Sequence, residues 1–146
     1  MSKSAADAMC RFVPPFTRYL REGLAKVNIS PARFQVLETL ALEGALSMVD
    51  LADNLSVTKR NITTLVDGLE KEGLAKRSPH PTDRRSTLID LTNDGRAKFD
   101  AAAKVQVAHL SRLFEQLNDD QDRALTRALS LLTKTLATQR DFSNKS

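Results

Sequence analysis

The chain has 146 residues, 41% of them apolar and 27% charged, with five glycines and five prolines. This is the composition of one folded unit with a real core, and it excludes both a disordered chain and two ordinary domains in tandem. A net charge of +4 mildly favours polyanionic partners, and a single cysteine, Cys10, excludes an internal disulfide.

The opening residues MSKSAADAMC lack the apolar run of a signal peptide. No apolar stretch reaches the roughly 18 residues that span a bilayer, so a soluble, cytoplasmic protein with no membrane partner is expected. From Met9, apolar residues recur at Phe12, Val13, Phe16, Leu20 and Leu24, the spacing of one helix face. Pro14 and Pro15 interrupt that stripe and predict a kink or a fresh helix start. Ser30-Pro31 predicts an N-cap with proline at the first helical position, and the helix behind it buries Phe34, Leu37, Leu40 and Ala41 before stopping at Gly44.

Two shorter helices follow within residues 47–74. Ser47 with Asp50 resembles a capping pair, and Met48, Leu51, Ala52 and Leu55 form one apolar face behind it. After a break at Ser56-Val57 a second helix turns Ile62, Leu65, Val66 and Leu69 inward and ends at Gly73. Strands are expected near 74–77 and 87–91. Thr92 is then a candidate N-cap, with Asp94 in the first turn where the helix dipole favours an anion. That long helix carries Phe99, Ala102, Ala103, Gln106, Leu110, Leu113, Phe114 and Leu117, and Asn118 with Gln121 forms a capping box for a last helix with Leu125, Ala128, Leu129, Leu132 and Leu136.

Two short helices joined by a tight turn form the helix-turn-helix pattern, whose second helix enters the major groove of DNA. Here the outer face of that helix presents Lys59, Arg60, Asn61, Thr63 and Thr64. Arginine pairs with guanine, asparagine with adenine, and threonine offers a hydroxyl and a methyl. Lys59 and Arg60 oppose the helix dipole, at a cost of about 0.3–1 kcal/mol each, which an anionic partner would explain. An amphipathic helix with a solvated polar face shows the same periodicity.

The next segment, KRSPHPTDRRSTLIDLT, has strand-like ends and a basic middle. Residues 76–86 hold Lys76, Arg77, Arg84 and Arg85 against Asp83 alone. A basic loop between strands directly after a recognition helix is the layout of a winged helix. Such a wing can insert an arginine into a narrow minor groove, and Arg84 and Arg85 are the candidates. Asp83 is placed to brace a guanidinium through a charge-assisted hydrogen bond, and Pro79 and Pro81 stiffen the loop. A solubilising surface hairpin is the alternative.

The sequence LADNLSVTKRNITTLVDGLEKEGLAKR…DRRSTLIDLTNDG resembles the MarR (multiple antibiotic resistance regulator) family of winged helix-turn-helix regulators. The matching pieces are Leu65-Val66-Asp67, Leu69-Glu70-Lys71-Glu72-Gly73-Leu74, Arg77, and Asp83-Arg84-Arg85 followed by Leu91-Thr92 and Gly95. The resemblance implies a homodimer whose terminal helices interlock, two winged helices on a pseudo-palindromic operator, and Arg85 in the minor groove oriented by Asp83. It also implies a small effector, often aromatic or anionic, held between the dimer helices and the DNA-binding lobe.

The expected fold is therefore mainly α with a small β-wing, in a single domain. A winged helix-turn-helix lobe over 31–96 is flanked by dimerisation helices in 1–30 and 97–146. The flanking stripes independently favour a twofold mate, since one short chain would struggle to cover them. The expected function is that of a dimeric repressor on double-stranded DNA; a winged-helix protein-interaction adaptor is the alternative. Lys59, Arg60, Asn61, Thr63 and Thr64 are the candidate recognition-helix contacts, with Arg77, His80, Asp83, Arg84 and Arg85 on the wing. Phe12, Phe16 and Tyr19 are candidates for an effector pocket, although aromatic stripes are more often core. One branch of the family senses hydroperoxides through an N-terminal cysteine, but Cys10 lies at a different spacing from the second helix. His80 and His109 share no metal-ligand spacing, and no catalytic or phosphate-cradling motif appears. Neither an enzyme nor a cofactor is expected.

Overall fold

Side-chain caps set where the helices begin. In the computed structural model, which describes residues 4–143, Ser4 opens α1 (Ala5–Ala25) through a reciprocal capping box with Asp7. Ser30 Oγ accepts the Arg33 N–H, and Pro31 takes the first position of α2 (Pro31–Glu43). Ser47 accepts the Asp50 N–H ahead of α3 (Met48–Leu55), and Thr58 accepts the Asn61 N–H ahead of α4 (Lys59–Lys71). Thr92 Oγ1 accepts the Gly95 N–H at the start of α5 (Asn93–Phe114). Asn118 and Gln121 form the expected reciprocal pair before α6 (Asp119–Ser143).

α1 runs unbroken through Pro14 and Pro15, so of the two outcomes the sequence predicts, a kink or a fresh helix start, the fresh start does not occur. The prolines remove N–H groups that would bond the carbonyls of Cys10 and Arg11, four residues back. Residues 10–15 are all exposed, so water can solvate those carbonyls and the helix continues.

Three short strands form one antiparallel sheet in the order β1–β3–β2, with β1 at Leu46–Ser47, β2 at Ala75–Pro79 and β3 at Thr87–Leu91. β2 and β3 are the expected wing strands, in register from Ala75↔Leu91 to Pro79↔Thr87. β2 lies at the sheet edge, where a proline is tolerated. β1 is an addition: Leu46 pairs with Ile89 and Ser47 with Leu88. Two residues have no periodicity to read.

The core is built from Val36, Leu37 and Leu40 of α2, Leu51 of α3, Val66 and Leu69 of α4 and Ile89 of β3, all with no accessible surface. Leu24, Ile29 and Ala102 belong to the same cluster. The end of α1 and the first part of α5 accordingly fall in one compact unit with this core, and a second unit begins at Leu110. Within the first unit, the end of α1 is bound to α5. Lys98 Nζ donates to the Val27 carbonyl at 2.7 Å, and the Tyr19 and His109 rings stack with centroids 3.8 Å apart. Lys26 Nζ can only donate to His109 Nδ1, which leaves the ring proton on Nε2, bonded to the Tyr19 carbonyl at 2.8 Å. In the second unit Leu113, Phe114, Leu117 and Leu125 are half-buried, whereas Leu129, Leu131, Leu132 and Leu136 are exposed.

A backbone contact closes the base of the wing onto α5. The Thr92 N–H donates to the Leu74 carbonyl at 3.2 Å and its hydroxyl donates to the Gly73 carbonyl at 2.6 Å. Gly73, at φ 72°, makes the left-handed turn from α4 towards β2. Gly95 is buried, and a Cβ there would lie 1.9 Å from the Leu74 carbonyl oxygen. Only a residue without a side chain fits that approach.

Gly95→Ala is expected to destabilise the protein by about 1–3 kcal/mol or more, the scale of overpacking. The readout is a lower urea midpoint at constant m-value; an unchanged midpoint would mean that the Leu74 backbone yields freely. Glu38 of α2 supplies a second expectation, since burial raises its carboxyl above the usual value. A raised folded-state value means that ionisation opposes folding, so its contribution is best at low pH and is lost as pH rises through that value. Glu38→Gln should raise the Tm at neutral pH, with the gain shrinking as pH falls through that raised value and the native carboxyl takes up its proton. A gain independent of pH would assign the effect to packing instead.

Candidate nucleic-acid interface

The turn between α3 and α4 is made by Ser56, in the left-handed region at φ 53°, and by Val57, whose N–H returns to the Ala52 carbonyl at 3.0 Å. Thr58 then caps α4. Ile62, Val66 and Leu69 are buried and Leu65 half-buried, which leaves Lys59, Arg60, Asn61, Thr63 and Thr64 exposed, as the periodicity predicts. The side chains of Lys59, Arg60 and Asn61 hold no partner among the described residues. Those of Thr63 and Thr64 do: each hydroxyl donates to a carbonyl four residues back, Lys59 at 2.7 Å and Arg60 at 3.0 Å. Their oxygens can still accept, but the hydroxyl protons are committed.

The C-terminal half of α4 is acidic, against the helix dipole, and arginines from two other elements answer it. Arg77 of β2 bonds Asp67 at 2.6 Å and Glu70 at 3.3 Å. Arg33 of α2 pairs with Glu72, and its guanidinium lies so close over Gly68 that a Cβ there would meet Nη2 at 2.4 Å. These pairs are a third to a half exposed, where such contacts contribute little stability. Their effect is to neutralise the carboxylates at that end of the helix. Nothing in the local sequence marks Arg33, because its partner lies 39 residues away.

The wing tip spans residues 80–86 between β2 and β3. The His80 N–H donates to the Ser86 carbonyl at 3.2 Å and the Ser86 N–H to the Asp83 carbonyl at 3.1 Å, closing the tip. Asp83 does not brace a guanidinium; its Oδ1 accepts the Arg85 backbone N–H at 3.0 Å. His80 Nδ1 accepts the N–H groups of Thr82 at 3.2 Å and Asp83 at 3.0 Å. Arg84 and Arg85 are exposed, with no side-chain partner among the described residues. Of the basic residues in this segment, Arg84, Arg85 and Lys76 hold no side-chain partner among the described residues, whereas Arg77 is held against α4.

The remaining candidates lie elsewhere. Phe12 and Phe16 stack on each other with centroids 4.6 Å apart, while Tyr19 turns to His109 and donates its hydroxyl to the His109 carbonyl. Cys10 is exposed. Among the described residues no group of His, Cys, Asp and Glu is placed to hold a metal ion, and no helix is long and apolar enough to cross a membrane.

Residues 29–87 match the MarR family. The chain is 32% identical over 111 residues to the HTH-type transcriptional regulator YfiV of Bacillus subtilis, covering 76% of this chain and 69% of that protein. It is 30% identical over 116 residues to the transcriptional repressor YetL of the same organism, covering 78% and 70%. Among solved structures, apo MarR from E. coli superposes with a TM-score of 0.83 at 25% identity, over 90% of this chain and 98% of that one. The repressor CouR, solved bound to a 23-mer DNA duplex, does so with a TM-score of 0.75 at 30% identity, over 89% and 92%. With its capped helix pair, its three-stranded wing and these relatives, the chain belongs to the MarR family of winged-helix transcriptional regulators.

Proposed function

We propose that the chain is a dimeric repressor of a pseudo-palindromic operator. Lys59, Arg60, Asn61, Thr63 and Thr64 read the major groove, and Arg84 and Arg85 grip the minor groove or its phosphates. The observation that carries this reading is the distribution of partners. Arg33 and Arg77 on the lobe are paired with carboxylates, whereas Lys59, Arg60, Arg84 and Arg85 are exposed and hold no side-chain partner among the described residues. Unpaired cations at the start of a recognition helix and at a wing tip suit a phosphate backbone flanking readable bases.

Exposed Met9, Phe12 and Val13 on α1, and Leu129, Leu132 and Leu136 at helical spacing on α6, support a homodimer that buries these stripes against a twofold mate. The proposed protein acts in the cytoplasm and without catalysis. Control by a small effector is carried over from the family, and Phe12 and Phe16 remain its candidate lining, since Tyr19 is committed to His109.

Selection of a palindrome from a random duplex pool, sensitive to salt, tests the reading. Sequence-independent binding would favour an adaptor instead. Within a selected site, Arg60→Ala should relax base preference, with about 1–3 kcal/mol of discrimination lost. Arg85→Ala should instead weaken all sites and lower the salt slope by about 1. Swapped signatures would exchange the two roles. For the dimer, Leu132→Asp combined with Leu136→Asp is expected to give a monomer by analytical ultracentrifugation with its helical signal kept. A persisting dimer would place the interface elsewhere.

A further inference from the structure

We infer that His80 is the positioning residue of the wing: its imidazole is a hydrogen-bond acceptor that orders the tip carrying Arg84 and Arg85, rather than a contact to phosphate. Two backbone N–H groups, those of Thr82 and Asp83, converge on Nδ1 at 3.2 and 3.0 Å, and the Thr82 hydroxyl lies 3.3 Å from the same atom. A nitrogen that receives two N–H donors must present its lone pair, so the ring proton is on Nε2. This is the pattern an asparagine or aspartate makes in a turn, accepting from the residues two and three ahead. Here histidine supplies the acceptor.

The consequences run along the chain to the arginines. Fixing the Asp83 N–H fixes the residue whose Oδ1 accepts the Arg85 N–H at 3.0 Å and whose carbonyl accepts the Ser86 N–H at 3.1 Å. His80 and Asp83 therefore form a relay of backbone acceptors ending at Arg85. Electrostatics also oppose a phosphate contact. His80 is half-buried and borders a groove between the wing and the start of α3 that Asp50 and Asp83 also line, with Ser47 and Leu88. Two carboxylates at that groove repel a phosphate. The proposal rests on the operator-binding reading for its effect on affinity, but the ordering of the tip is measurable without DNA.

Trypsin cleaves after arginine, so nicking at Arg84 and Arg85 in the free protein reports how often the tip opens. His80→Ala is expected to be nicked about five- to tenfold faster, the population shift from losing two ordinary hydrogen bonds. His80→Asn, which keeps an acceptor at the same reach, should be nicked at the wild-type rate, and His80→Lys, with a charge and no acceptor, as fast as alanine. Affinity for the selected operator should follow the same order, with Asn above Ala and Lys no better than Asn. Unchanged nicking in His80→Ala would overturn the inference, as would equal nicking of the Ala and Asn variants. Operator affinity kept by Lys and lost by Asn would make His80 a phosphate contact. If wild type selects no operator while nicking follows the predicted order, the ordering role stands and the operator reading fails.

Discussion

The wing and α5 share one close contact, the approach of Gly95 to the Leu74 carbonyl, and the lobe is organised around it. Leu74 leads directly into β2, and Thr92 follows β3 directly, so the two strands leave from a single hydrogen-bonded junction. The pair nearest the junction, Ala75 with Leu91, sets the register for every pair out to Pro79 with Thr87. A side chain at position 95 would push this junction apart by acting on backbone, which has no rotamer to give. The register of the wing, and with it the reach of its tip, is thus determined from the base.

The lobe's charges sort into two populations by their partners. Arg33 and Arg77 are engaged with Asp67, Glu70 and Glu72. Without them, three carboxylates would lie along the same helix that presents Lys59 and Arg60. Lys59 and Arg60 at the start of α4, and Asp67 and Glu70 towards its end, carry charge of the sign that its own dipole disfavours, with Lys71 in the last turn of the favoured sign. At the C-terminal end the protein supplies the compensation itself, and at the N-terminal end it does not. That asymmetry gives the helix a direction toward an anionic partner, and neither net charge nor composition contains it.

Much of this was legible in the sequence where the cause is local. Ser30-Pro31, Thr92 and the Asn118–Gln121 pair mark helix starts because caps act within three residues. The inward face of α4 was readable from the 3.6-residue period of Ile62, Leu65, Val66 and Leu69. What was not legible depends on distant partners. β1 exists because Leu46 meets Ile89, and Arg77 is a brace because β2 passes beside α4. The aspartate of the wing bonds a backbone N–H rather than the guanidinium expected from sequence, since residue type gives an acceptor without naming its donor. The prolines of α1 start no new helix, because the cost of a missing N–H depends on whether water reaches the orphaned carbonyl. Residues 10–15 are all exposed.

The separation of free from paired charge on α4 also has a kinetic side. Near a polyanion, the cations at the helix start and wing tip, which hold no partner among the described residues, are pulled with their full charge, while Arg33 and Arg77 at the far end are offset by the carboxylates they bond, so the lobe experiences a torque as well as an attraction. Both act within about a Debye length, roughly 8–10 Å at physiological salt. A lobe with that asymmetry tends to arrive already turned, which raises the fraction of collisions that are productive. Arginines 33 and 77 would then influence how quickly the right face is presented without touching the partner at all.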